Sequence, residues 1–457
     1  MKKSNVSTVA EQKNSASDTH ELSAAGTPIP ARWRTIVSVV WFGQAISIIT
    51  SGAAGYALIW YLTVTTESPF ILALGTAVFF LPMAIFGPIA GTIIDRHSRK
   101  AIMILADLGI AASMLIMAFI IMAGAASVPL VLIAVALRSI GTAFHSPAML
   151  AVMPLLVPDR HLVRINTLDQ GINAVGNIVA PAIGIFFYVT IGLQMALFAD
   201  VAGAVFACLT LAFVSIPAAQ MKKEKRSTVR ADMLDGFRAV RGVKGMTALF
   251  VLLAIGTASF MPLASLYVLM TYSHFGGGGY EAALVEAVFG TGFLLGSVIL
   301  GVWGGGSRLM RVIGASLILQ GLTFVVIGFL PTTVFMAFVV LSGVSALFGA
   351  FFNGPLNSVV QRAIEPERLG RVMALMGTVM SFAAPIGLLI AGPIAEVIGV
   401  TPWFIFGGAV LVLLAFVAQM MPSVRNLDKW ERASSETEGP ETEQALETSE
   451  NTKSPKD

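Results

Sequence analysis

The chain is predicted to be an all-α membrane protein with twelve transmembrane helices in two pseudo-symmetric six-helix halves. Three observations predict this. Between Trp33 and Met421 the sequence reads as successive apolar stretches of roughly 20 residues, the length a helix needs to cross a bilayer. Of the 29 Lys and Arg residues, all but Arg138 lie in the terminal segments or in alternate gaps between those stretches. Finally, features of the first half recur in the second.

Taken in order, the spans are predicted near 34–62, 69–94, 101–123, 128–150, 166–191, 194–216, 246–272, 282–303, 309–330, 332–352, 372–394 and 402–421. The basic gaps hold Arg96, Arg99 and Lys100, then Arg160 and Arg164, the run from Lys222 to Lys244, Arg308 and Arg311, and finally Arg362, Arg368 and Arg371. The gaps near Glu67, Ser127, Gly192, His274, Pro331 and Gly399 hold none. Basic loops stay in the cytoplasm, so both termini are expected there, in a multi-pass protein of a bacterial cytoplasmic membrane. The longest basic gap, 217–245, separates a bundle at 34–216 from one at 246–421, and Met233–Val243 within it suits a short helix on the membrane surface. Residues 1–30 are polar and lack the basic-then-apolar order of a cleaved leader, so the first span is expected to remain, preceded by a disordered cytoplasmic segment at 1–33. Residues 422–457 end in a Glu-, Ser- and Thr-rich tail expected to be disordered and cytoplasmic.

Composition agrees. Hydrophobic residues make up 56% of the 457 and charged ones 12%, about half the usual charged share. The net charge of +3 sits at helix ends, where it orients spans, and does not suggest nucleic acid. The single Cys208 rules out an internal disulfide or a thiolate metal cluster and reads as a small apolar residue. The five His residues show no metal-ligand spacing, no glycine loop ends in Lys-Ser/Thr for a nucleotide, and no nucleophile–base arrangement stands out. No metal, cofactor or enzymatic activity is therefore expected. The expected partners are lipid and a small molecule, with the chain a monomer.

The repeat is specific. Phe144-His145-Ser146-Pro147 is followed by Pro158-Asp159-Arg160, and Phe352-Asn353-Gly354-Pro355 by Pro366-Glu367-Arg368, at a constant offset of 208 residues (147 to 355, 158 to 366). Pro181-Ala182-Ile183-Gly184 recurs loosely as Pro385-Ile386-Gly387. Duplicated halves with a substrate bound between them at mid-membrane make a transporter plan.

Ionisable groups inside spans are few. Arg138 lies near mid-bilayer, where an Arg costs about 3 kcal/mol on insertion scales, so it needs a hydrated cavity or an acid beside it. The acids are Asp107 two turns into the third span, Asp169 at the start of the fifth, Asp200 two turns into the sixth and Glu286 one turn into the eighth. An acid balanced between burial and a nearby Arg can bind and release a proton as access alternates, and Asp107 and Asp200 are best placed. An apolar cavity with scattered polar groups suits a bulky amphipathic ligand, and Trp41, Gln44, Tyr56, Asn173, Asn177, Met261, Tyr267, Asn357 and Met380 are its candidate lining.

The first basic loop, Gly91-Thr-Ile-Ile-Asp95-Arg96-His97-Ser98-Arg99-Lys100, resembles the signature between helices 2 and 3 of the major facilitator superfamily, with Ser98 where Gly is usual. The resemblance implies that Gly91 allows close helix approach and that Asp95 meets the cytoplasmic N-terminus of helix 11, latching the outward-open state. Leu137-Arg138-Ser139-Ile140-Gly141 is similar to the family's helix 4 motif, whose Arg is tied to proton coupling in drug antiporters, although the usual Gln is absent. Gly171, Gly176, Ala180-Pro181 and Gly184 resemble a thinned antiporter motif, in which Gly176, Pro181 and Gly184 form a helix 5 hinge. Trp41-Phe-Gly-Gln-Ala-Ile-Ser, Asp95-Arg-His, Arg138-Ser-Ile-Gly-Thr-Ala-Phe-His-Ser-Pro, Pro154-Leu-Leu-Val-Pro and Leu369-Gly-Arg-Val together resemble Mef-type macrolide efflux proteins. That resemblance implies proton-driven export of macrolides and other hydrophobic drugs. The residues alone reach a twelve-helix secondary transporter. They leave open an exporter of an endogenous metabolite such as a siderophore, and a non-transporting receptor or scaffold.

Overall fold

A computed structural model describes residues 29–30, 32–94, 96–214 and 229–427. Asp95, most of residues 1–33, the first part of the central loop and the acidic tail lie outside that range. So do the side chains of Asp169, Asn173 and Asn177.

The first half comprises α1 (Trp33–Thr66), α2 (Pro69–Ile94), α3 (Arg99–Met122), α4 (Val128–Leu156), α5 (Asp159–Ile191) and α6 (Leu193–Phe213). Amphipathic α7 (Val229–Gly242) bridges to α8 (Met246–Leu269), which runs into a π-helical turn at Met270–His274. Then come α9 (Gly279–Trp303), α10 (Leu309–Gly328), α11 (Phe335–Ala363), α12 (Pro366–Ile398), α13 (Val400–Met420) and the short α14 (Pro422–Arg425). Eleven described helices are long and apolar enough to cross a membrane, and α5 supplies the further apolar stretch Ile178–Ile191.

The ends have local causes. Ser98 occupies the N-cap of α3, and its hydroxyl accepts from Ala101 N at 3.4 Å. Tight junctions at Gly192 (φ 87°) and Gly399 (φ 92°) join α5 to α6 and α12 to α13, so the same left-handed link recurs in both halves. Several helices overrun their predicted spans. α4 continues to Leu156, α5 begins at Asp159, α11 continues to Ala363 and α12 begins at Pro366. Hydropathy marks where the apolar run stops, whereas backbone hydrogen bonding carries the helix into the polar interface, and Pro366 suits a first turn.

Packing repeats as the sequence does. α1 packs on α5 and α6, α2 on α4, and α3 on α4 and α6; α8 packs on α12 and α13, α9 on α11, and α10 on α11 and α13. Between the halves, α2 meets α12 and α5 meets α9, two contacts that the same pseudo-two-fold exchanges. Gly184 abuts the Ala53 backbone in the first half, and Gly387 abuts the Ala258 backbone in the second.

The two ends differ. Opposite the basic loops, one apolar cluster includes both halves, joining Leu58, Leu62 and Leu72 to Leu266, Ala391 and Ala395. At the basic end each half has its own cluster, Val37, Met103, Val152 and Leu156 in one and Met246, Met310, Val359 and Val372 in the other. The molecule is fastened at one end and divided at the other.

Candidate functional site

In the first half, α1, α3, α4 and α6 converge on buried polar groups. Arg138 Nη1 lies 3.9 Å from Asp200 Oδ2, with Arg138 7% exposed and Asp200 fully buried. Ser51 of α1 donates to the other Asp200 oxygen, and Arg138 passes Gly55, where a Cβ would stand 3.2 Å from Nη1. Toward the basic end, His145 Nε2 stands 3.4 Å from Asp107 Oδ1, and Gln44 lies beside Asp107.

These groups are close without being saturated. Arg138 Nη1, Asp200 Oδ2, Asp107 Oδ2, His145 Nε2 and both amide atoms of Gln44 are buried without a well-formed hydrogen bond. Buried polar groups are ordinarily satisfied, because an unmade bond in a low dielectric costs about 1–3 kcal/mol. A loosely matched set held by rigid helices can exchange a proton or regroup when the surroundings move.

Arg99 donates to Ala151 O (2.5 Å), while Lys100 donates to Ala212 O (2.9 Å) and Val214 O (2.8 Å). Both therefore fasten the start of α3 to the carbonyl ends of α4 and α6, within one half, where cations suit the helix dipole. Arg96 is exposed. Among the described residues, nothing lies within 4 Å of where a Gly91 Cβ would stand, so the close approach expected of it is not made in this arrangement. In the expected hinge, Gly176 faces Ile48 and Gly184 the Ala53 backbone, so both permit a close α1–α5 crossing, and Pro181 is buried inside α5.

The second half holds a cavity of about 280 Å³ where the first holds charge. It lies among α8–α13, lined chiefly by Leu, Phe, Met, Ala and Gly side chains, with Thr257, Gln320, Asn353 and Gln419 as polar exceptions. Gln320 Nε2 donates to Ser345 O at 3.2 Å, and Asn353 Nδ2 to Gly349 O at 2.9 Å.

Of the predicted lining, Met261 and Met380 reach this cavity. Trp41, Gln44, Tyr267 and Asn357 lie elsewhere. Trp41 packs into the basic-end cluster of the first half, and Gln44 joins the buried polar set. Tyr267 is buried among Phe289, Phe324, Phe338 and Phe404. Asn357 donates to Asn353 O along its own helix. Each is polar or aromatic on an apolar helix, and such residues look alike until the facing helix is known. Tyr56 is 36% exposed and lies within electrostatic reach of Glu286. Asp169, Asn173 and Asn177 lie outside the described side chains. Among the described residues, no group of His, Cys and acidic side chains has the makings of a metal site.

Sequence reading missed three participants. His145 is seven residues from Arg138, hence on the same helical face, and that spacing could have signalled it. Ser51 carried no signal. Glu396, near the end of α12, accepts from Ser68 Oγ (2.7 Å) and Phe70 N (3.0 Å), capping the start of α2 in the opposite half.

Comparisons with known proteins fit this arrangement. The family model of the Major Facilitator Superfamily matches residues 40–304 and 249–450. The chain is 37% identical to macrolide efflux protein A of Streptococcus pyogenes over 401 residues, 87% of this chain and 98% of that protein. It is 27% identical to the multidrug efflux pump Tap of Mycolicibacterium fortuitum, over 76% of this chain and 86% of that one. Among solved structures, the nucleoside transporter NupG matches with a TM-score of 0.65 at 14% identity, covering 84% and 98% of the two chains. A bacterial homologue of the human lysosomal transporter Spinster matches at 0.62 and 16% identity, covering 89% and 98%. The chain thus belongs to the Major Facilitator Superfamily and is a multi-pass membrane transport protein rather than an enzyme.

Proposed function

We propose that this chain exports macrolides and other hydrophobic drugs by alternating access, driven by inward proton movement across a bacterial cytoplasmic membrane. The observation that carries the substrate assignment is the 37% identity to a macrolide efflux protein across 98% of that protein's length. With the basic loops in the cytoplasm, the joined end faces outward and the divided end inward, so the described state is open to drug from the cytoplasm or inner leaflet. Coupling is assigned to Asp107, His145, Arg138 and Asp200. A proton arriving at Asp200 would weaken its hold on Arg138, and one at Asp107 would change its contact with His145. Helix positions in the first half then depend on proton occupancy. Asp95 is assigned the basic-end latch of the opposite state.

Susceptibility testing in a pump-deficient bacterium checks the substrate. Wild type is expected to raise erythromycin tolerance at least about fourfold over vector, a difference in export that needs under 1 kcal/mol of drive. Equal tolerance despite membrane expression rejects the macrolide assignment. In everted vesicles, Asp107→Asn is expected to abolish drug-dependent proton release while retaining drug-for-drug exchange. Unchanged proton release removes that role from Asp107.

A further inference from the structure

We propose that the apolar cavity of the second half and the Glu286 carboxylate beyond it form one recognition subsite for an amphipathic monocation. The apolar body would sit in the cavity and its protonated amine against Glu286. This deepens the transport reading and rests on it.

The placement follows from α9. Phe289 and Phe293 line the cavity, and Glu286 precedes them by three and seven residues, so all three share one face, with Glu286 about one turn, or roughly 4.5 Å, beyond the cavity wall. That face also meets the other half. Ala282 is buried with Trp60 and Ile185, and a Cβ at Gly290 would stand 2.2 Å from Ile178. Glu286 therefore lies between two contacts with the first half, at the interface where the transport reading puts substrate.

Its chemistry singles it out. Asp107 and Asp200 each face a basic side chain. Glu286 makes no hydrogen bond or ion pair with any described residue, although it is half-buried in a span. The Tyr56 hydroxyl on α1 and the Tyr267 hydroxyl on α8 lie within its electrostatic reach. One carboxylate with no basic side chain beside it suits an ammonium, which gains a charge-assisted hydrogen bond there. Among the described acids of the spans, those of the first half already have basic neighbours, so a cation is directed to the second. The cavity is at the small end of ligand pockets, about 300–1,000 Å³, so it takes the apolar part of a large drug rather than the whole.

Equilibrium binding to the full-length chain in lipid nanodiscs tests this with three probes: tetraphenylphosphonium, the uncharged triphenylphosphine oxide, and erythromycin, whose dimethylamino group is protonated at neutral pH. Glu286→Gln is expected to weaken tetraphenylphosphonium and erythromycin about tenfold or more, the scale of one charged contact, and the neutral probe less than about twofold. Glu286→Asp, which keeps the charge, should retain cation binding within about threefold and serves if the Gln variant does not fold. Cation affinity unchanged in a folded Gln variant overturns the proposal, as does equal loss of the neutral probe or failure of wild type to bind tetraphenylphosphonium. Wild type that binds tetraphenylphosphonium through Glu286 but not erythromycin sinks the macrolide reading and leaves the subsite standing.

Discussion

The two halves share a helix-packing plan and fill it in opposite ways. At the 208-residue offset, Arg138 corresponds to Ala346, Gly141 to Gly349, Phe144 to Phe352 and His145 to Asn353. All four second-half positions line the cavity, whereas their first-half counterparts include both basic members of the buried ionisable set. Replacing one long cation by a methyl group turns a charged core into space. The cage has been kept in both halves, while its contents have divided into buried ionisable groups and apolar volume.

The largest effect should come from breaking the charged side. Arg138→Ala strands Asp200 in an apolar bundle, and removing one partner of a buried pair typically costs about 3–5 kcal/mol. Transport should vanish and the thermal transition should fall. Pairing Arg138→Met with Asp200→Leu sharpens the comparison, because an apolar replacement of both partners is often neutral or stabilising. The double variant is expected to recover most of the lost stability, read by thermal unfolding in nanodiscs, yet to stay inactive in everted vesicles. Transport by the double variant would show that charge in this half is packing rather than mechanism.

Filling the other cage should give a smaller and different loss. Ala346→Leu projects three further carbons into the cavity, and overpacking costs typically about 1–3 kcal/mol where the site cannot adjust. Here open space absorbs part of the change, so stability should fall little while erythromycin affinity drops about five- to tenfold. The pH dependence of exchange should match wild type, since Asp107 and Asp200 are untouched. A changed pH profile would mean that the halves do not divide the labour this way.

What the sequence disclosed follows the same division. Arg138, Asp107 and Asp200 were legible because a charge in an apolar run is conspicuous and demands a partner. The repeat was legible because prolines and glycines fix backbone geometry at set intervals. The cavity was legible only at Met261 and Met380, since the rest consists chiefly of ordinary Leu, Phe and Gly residues, and a void leaves no mark on a hydropathy profile. Gln44 was ambiguous for a related reason. An amide on an apolar helix suits a drug cavity as well as a buried network, and only the position of α3 places it beside Asp107. Gly91 was read as a close-approach residue, which depends on which end of the molecule is closed. Glu396 was invisible because its partner Ser68 is 328 residues away.

That last contact compares the two ends of the molecule and carries the smallest prediction. Glu396 accepts from the Ser68 hydroxyl and from Phe70 N, one of the first-turn N–H groups of α2 that lack an intrahelical acceptor. A carboxylate there also meets the positive end of the helix dipole. In the proposed alternating-access cycle the contact would cross the halves only while this end is closed, so it would weight the balance between states without touching substrate. Glu396→Gln keeps an acceptor oxygen but loses the charge, a change on the scale of a lost cap, about 1 kcal/mol, or roughly a fivefold shift in population. Distances between spin labels at positions 67 and 399 should gain a longer component, with drug affinity near wild type and turnover altered only a few-fold. Glu396→Ala should enlarge the same component. An unchanged distance distribution in both variants would mean that the apolar cluster of Leu58, Leu266 and their neighbours holds this end shut by itself.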